Sequence, residues 1–164
     1  MKKSAKSWLN GVWVDWVRYL YNNGDEINDL TGGWSYNKYH SSATLERESD
    51  CIIAKTYHAQ GSHMALGFVR TNKPIDLTDI QTISIEATVS TDSGISTFIA
   101  VLSADSNNAY DNAAVKANMP ATAEKKVFSA DVSQLQGKYY VGFGHNHGGN
   151  NASVTVTMYE CYLR

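Results

Sequence analysis

The chain has 164 residues, 43% of them apolar and 18% charged, and a formal net charge of -2. That balance excludes a disordered polymer and fits one domain long enough to bury a real core. Near-neutral charge also argues against a nucleic-acid binder, which needs a clustered basic face; Lys2, Lys3 and Lys6 form the basic cluster, at the start of the chain.

From the N-terminus, Trp8, Leu9, Val12, Trp13, Trp16, Val17 and Leu20 fall on one stripe of a helix. Yet Trp, Val and Tyr favour strands, and Asn10-Gly11 is a two-residue turn signal. The segment therefore reads as a hairpin. It is either a core-facing arm or a docking segment that buries its tryptophans against another subunit. Asn10, Gly11, Asp15 and Arg18 interrupt residues 8–20, so they make no secretory signal, and no apolar run is long enough to span a membrane. Export would use another route, or the chain would leave the cell as part of a particle. Residues 17–21 continue as a strand, which divides the chain into an arm, 1–21, and a domain, 22–164.

Asn22-Asn23-Gly24 reads as a turn. Asp25, Glu26 and Asp29 then place three carboxylates within five positions, a set suited to a hard cation such as calcium or to a solvated acidic loop. Strands are predicted at 34–39, at 44–57 with a break near Ser49-Asp50, at 63–69, 80–90, 95–102 and 126–130. In the 80–90 run Ile83, Ile85, Ala87 and Val89 share a face. Turns are expected at 60–62 and 92–94, and loops at 71–78, where Pro74 lacks a ladder donor, and at 103–110. Residues 113–119 could form an Ala-rich helix stopped by Pro120; the neighbouring period-two segments favour a strand. Residues 131–137 resemble a single capped helical turn closed by Gly137.

The last stretch is the most regular. Tyr139, Val141 and Phe143 share one face of a first run, and Val154, Val156, Met158 and Tyr162 share one face of a second. Between them lie His145, Asn146, His147, Gly148, Gly149, Asn150 and Asn151, which predict a hairpin whose polar loop carries two imidazoles. About ten short strands with almost no helix imply an all-β fold, an antiparallel β-sandwich or barrel. Cys51 and Cys161 read as buried thiols in strands rather than as a disulfide.

No nucleophile elbow, zinc-protease helix or phosphate loop is present. Glu46, Glu48, Glu86 and Glu160 lie in predicted strands and could pair for glycoside hydrolysis, although solvent-facing strand acids are common. His145 and His147 share a face if extended and could bind zinc with a third ligand; in a loop they serve as hydrogen-bonding groups. Trp34, Tyr36, Tyr39, Tyr57, Tyr110, Tyr139 and Tyr140 sit close to Asn, Ser, Gln or His. A flat ring covers the C–H face of a sugar while amides, imidazoles and acids satisfy its hydroxyls, so the set points to saccharide.

Residues 22–34, NNGDEINDLTGGW, resemble the opening of carbohydrate-binding modules with the galactose-binding-like jelly-roll fold. DVSQLQGKYYVGFG at 131–144, followed by ASVTVTMYECYL, is similar to the last strands of such domains in bacteriophage tail-associated and minor structural proteins. NGVW at 10–13, followed by YLYNNGDE, resembles the segment linking those domains. The resemblance implies two facing antiparallel sheets in a jelly roll, no catalysis, and a structural calcium held by Asp25 or Glu26 with Glu160. The expected function is that of a non-enzymatic module on a phage virion or otherwise outside the cell. It would bind cell-surface polysaccharide during host adsorption through Trp34, Tyr36, His58, His63, Tyr110, His145, Asn146 and His147. The alternative is a purely structural virion protein that assembles with itself or other virion subunits through residues 8–20. Neither reading involves nucleic acid or membrane insertion.

Overall fold

The structure is a computed structural model. It describes residues 6–9, 12–15, 17–39, 42–58, 65–92, 94–103, 113–147 and 152–164, with side chains at 17–36, 43–57, 68–92, 94–103, 113–146 and 152–164. The predicted turn at 60–62, most of the 103–110 loop, His63, Tyr110 and the glycine-asparagine run 148–151 lie outside the described residues.

Strands β1 (Lys6–Leu9) and β2 (Val12–Asp15) form a separate two-stranded sheet, with Leu9 opposite Val12 and Trp8 opposite Trp13. This is the pairing expected of a hairpin around residues 10 and 11. The chain continues through β3 (Arg18–Asn22), β4 (Asp25–Glu26), a helical turn α1 (Asn28–Thr31), β5 (Trp34–Tyr39), β6 (Ser42–Arg47), β7 (Ile52–His58) and β8 (Ala65–Thr71). Then come β9 (Ile75–Asp76), β10 (Thr82–Thr91), β11 (Ile95–Ser103), β12 (Ala113–Asn118), β13 (Thr122–Asp131), β14 (Lys138–His147) and β15 (Ala152–Leu163). Among the described residues, no helix is long and apolar enough to cross a membrane.

Two antiparallel sheets face each other. The first has the order β13-β10-β15-β3-β4, with β7 also on β15 and β6 on β7; the second has the order β12-β11-β14-β8-β5, with β9 on β14. The all-β sandwich expectation is therefore met. Because β3 pairs with β15, residues 18–22 belong to the sandwich, and the arm ends earlier than residue 21.

The predicted closing hairpin is corrected by the topology. Strand β14 pairs with β11, β8 and β9, whereas β15 pairs with β10, β7 and β3, so the two lie in opposite sheets. Period-two alternation names the face of each strand but not its neighbour, and a short polar connection can cross between sheets as readily as it can turn back. Nor do His145, Asn146 and His147 form a loop; they are the last three residues of β14.

Between the sheets the core follows the alternation. Ile83, Ile85, Ala87 and Val89 face Ile99, Val101, Val141 and Phe143, and all are buried. In β15 the pattern breaks once. Glu160 lies opposite Glu86 and Met158 opposite Ala87, so Tyr159 is an extra residue, a β-bulge. The bulge reverses the phase: Cys161 and Leu163 join the core, and Tyr162 turns out against Tyr19 with ring centroids 5.6 Å apart. Tyr162 thus leaves the face it was expected to share with Val154, Val156 and Met158.

Two smaller expectations also change. Residues 131–137 make a turn rather than a helical one: Asp131 Oδ1 accepts the Ser133 N–H, Val132 O accepts the Leu135 N–H, and Gly137 takes φ +89°. Asp131 ends β13 and Lys138 begins β14 in the other sheet, and the Asx turn at Asp131 redirects the chain between them. Cys51 precedes β7 instead of lying in it. Both thiols are free and buried, and burial raises the pKa of each.

Candidate functional site

The outer faces of the two sheets differ. On the second sheet, Phe68, Phe98, Ala100 and Leu102 point away from the main core yet are only 0–3% exposed. Ala113 and Tyr140 pack against them, and the Arg70 guanidinium lies 4.0 Å from the Tyr140 ring centre. The centre of this face is apolar and buried.

The first sheet presents the opposite character. Register places Thr44, Lys55, Thr155 and Ser90 side by side across β6, β7, β15 and β10. Three strand spacings make that row about 14 Å long. Tyr57 and Ser153 are paired in the next row. Tyr57 has serines opposite it on both neighbouring strands, and it is 46% exposed. A groove of about 410 Å³ runs over Thr44, Lys55, Tyr57, Ser153 and Thr155. A second, of about 370 Å³, runs over Thr155, Thr88, Ser90 and Thr122. The two meet at Thr155 and make one trough across the strands. At its upper end Ser153 N–H donates to Asp92 Oδ2 at 2.7 Å and Asp92 N–H to Ser153 O at 3.1 Å, which ties β15 to the end of β10.

Chemically the trough offers one half-exposed aromatic ring, a field of hydroxyls that both donate and accept, and one ammonium. Lys55 Nζ pairs with Glu46 Oε2 at 2.6 Å, both side chains being about half exposed. An arrangement of this kind can stack a sugar ring on Tyr57 and hydrogen-bond its hydroxyl rim.

The residues chosen from sequence fare differently. Trp34 is buried in the core, and its Nε1 has no hydrogen-bond partner among the described residues. Tyr36 packs against that core and hydrogen-bonds the Thr56 hydroxyl. His145 is 4% exposed and, with Tyr36, lines an internal void of about 10 Å³, too small for a sugar. These three face the interior because β5 and β14 carry them on their core-facing sides. Asn146 lies on the outer side of the second sheet, opposite Ser96 and Leu66. His58 and His147 are placed only as strand ends, opposite Ala152 and Ala65 respectively. Thus the members of the set whose side chains are described do not converge. Tyr57, which the sequence marked only as one aromatic among seven, is the ring that stands out. A signal for it was present: Lys55 two residues earlier marks that face of β7 as solvent-facing, and period two carries Tyr57 with it.

The acids expected to hold calcium do not form one group. Asp25 and Glu160 lie opposite Asn22 from either side, two strand spacings or about 10 Å apart. Glu26 lies opposite Tyr21, on the other face, and pairs with Arg47; Glu160 accepts instead from Asn23 Nδ2. Calcium needs its oxygens gathered within a single coordination sphere, and these carboxylates are not so gathered here. Among the described residues, the ligand atoms that do gather belong to Glu48, Asp50 and Cys51.

No family model matches the sequence, and no curated protein matches it. Solved structures do match the fold. A family 29 carbohydrate-binding module, in a variant made to probe ligand recognition, superposes with a TM-score of 0.55 at 11% identity, over 90% of this chain and 91% of that one. The same module complexed with cellulohexaose gives 0.55 at 10%, over 90% and 89%. A module from the β-sandwich superfamily, described for promiscuous specificity, gives 0.59 at 7%, over 89% and 62%. At such identities the likeness is one of architecture, and the chain has the β-sandwich fold of the jelly-roll carbohydrate-binding modules.

Proposed function

We propose that this chain is a non-catalytic module that binds polysaccharide along the trough of its first sheet. The observation that carries the reading is Tyr57, a half-exposed ring set among hydroxyl side chains in an open groove. The fold shared with carbohydrate-binding modules, one of them complexed with cellulohexaose, supports it. Sugar hydroxyls exchange bonds to water for similar bonds to protein, so each site binds weakly, and many copies on one particle restore affinity through avidity. The finer reading, display on a phage tail or fibre during host adsorption, rests on the sequence resemblance. Calorimetry against bacterial wall polysaccharides and neutral glucans and mannans is the test. Binding that is lost in Tyr57→Ala is expected; no heat across the whole panel would rule the reading out.

A second reading has its own observation. The β1–β2 hairpin stands outside both sheets, with Trp8 opposite Trp13. A lone two-stranded hairpin is marginal in water, so it calls for a partner surface. A structural virion subunit assembling through this hairpin would sediment as a trimer or larger ring, whereas a free module would sediment as a monomer.

A further inference from the structure

Building on the trough reading, we propose that the polysaccharide it takes is acidic, bearing a uronate carboxylate or a phosphodiester next to the unit stacked on Tyr57. Among the described residues, Lys55 is the one formally charged side chain lining either groove. It stands in the central row between Thr44 and Thr155, adjacent to the row of Tyr57. Among the described residues, several acids stand beside the trough without lining it; Glu86 and Glu160 lie opposite each other further along the same face of β10 and β15. Glu46 holds Lys55 from the side, and Asp92 is occupied by the Ser153 N–H.

The exposed Lys55–Glu46 pair is worth little in water and opens easily. Once a glycan covers the row, the ammonium loses hydration and needs a counter-charge above it. A neutral chain offers only hydroxyls. An anionic group placed over Lys55 supplies that charge and accepts hydrogen bonds from the Thr44 and Thr155 hydroxyls as well. Carboxylate and phosphodiester share this chemistry.

The test uses the full chain and three polymers: polygalacturonate, the neutral galactan made from it by carboxyl reduction, and a poly(glycerol phosphate). Affinity electrophoresis at low salt is expected to show at least one acidic polymer held about tenfold more tightly than the neutral one, the preference shrinking in ~0.5 M salt. Which acidic polymer is preferred identifies the source of the charge. Lys55→Gln should bring the acidic-to-neutral ratio close to one, and Glu46→Gln should raise it. Equal binding of acidic and neutral polymers, with Tyr57→Ala abolishing both, would overturn the charge preference and leave the trough standing. A ratio unchanged in Lys55→Gln would overturn it too. If no polymer binds, the trough reading fails and the preference falls with it.

Discussion

The outer faces of the two sheets are built by the same alternation and end up as opposites. On the second sheet, Phe68, Phe98, Ala100 and Leu102 lie on the side away from the core and are buried nonetheless. On the first, Thr44, Lys55, Tyr57, Ser153 and Thr155 occupy equivalent outward positions and line open grooves. Facing away from one core is therefore not the same as facing water. Only the hydroxyl-rich face can exchange its partners for a ligand's at little cost.

The contrast can be broken most forcefully through the backbone. A Cβ on Gly142 would meet the Val69 carbonyl oxygen at 1.8 Å, so Gly142→Ala must push β14 off β8. Chemical denaturation should show a loss of about 3 kcal/mol. Phe98→Ala should cost a similar ~3 kcal/mol if its face is buried as the geometry has it. Thr155→Val, on the open face, should stay within about 0.5 kcal/mol. A Phe98→Ala variant as stable as the parent would erase the distinction between the faces.

Smaller effects sharpen it. Tyr57→Ala should weaken polysaccharide binding at least about tenfold while the unfolding midpoint moves little, because the ring is about half exposed and outside the core. The inner side of the first sheet answers to alkali. Burial pushes the Tyr21 hydroxyl up to about 12 from its ordinary 10. The folded state then holds its proton more tightly than the unfolded chain does. Stability from this group is fully present below pH 10 and is lost as pH rises toward 12, which melting curves across that window would record. Least of all, Cys161 should resist thiol reagents in the native protein and react on unfolding, since its thiol is fully buried and its pKa raised.

Much of this architecture could be read from the chain. The β10 face of Ile83, Ile85, Ala87 and Val89 follows from spacing alone; at 113–118 and in the N-terminal arm a helix competed, and the neighbouring strands in one case and the Asn10-Gly11 turn signal in the other pointed to the strands found. The site was less legible. His145 beside glycines looked like a loop ligand, but β14 runs on through it and turns it inward. Trp34 and Tyr36 had the right chemistry on the wrong side of β5. At Tyr159 one extra residue reversed the phase of β15 and sent Tyr162 outward, an event that needs the ladder with β10 to be seen.

What the amino-acid order determined by itself is local: which residues extend, which side each takes, and an all-β chemistry rich in aromatics and amides. Those properties depend on neighbours two positions away, where steric and hydrophobic preferences act directly. Only the assembled sandwich decided that β14 and β15 lie in opposite sheets, that one outer face is closed and the other open, and that Tyr57 rather than His145 meets solvent. Those outcomes come from hydrogen-bond ladders between strands far apart in the chain, and no local pattern encodes which ladder forms.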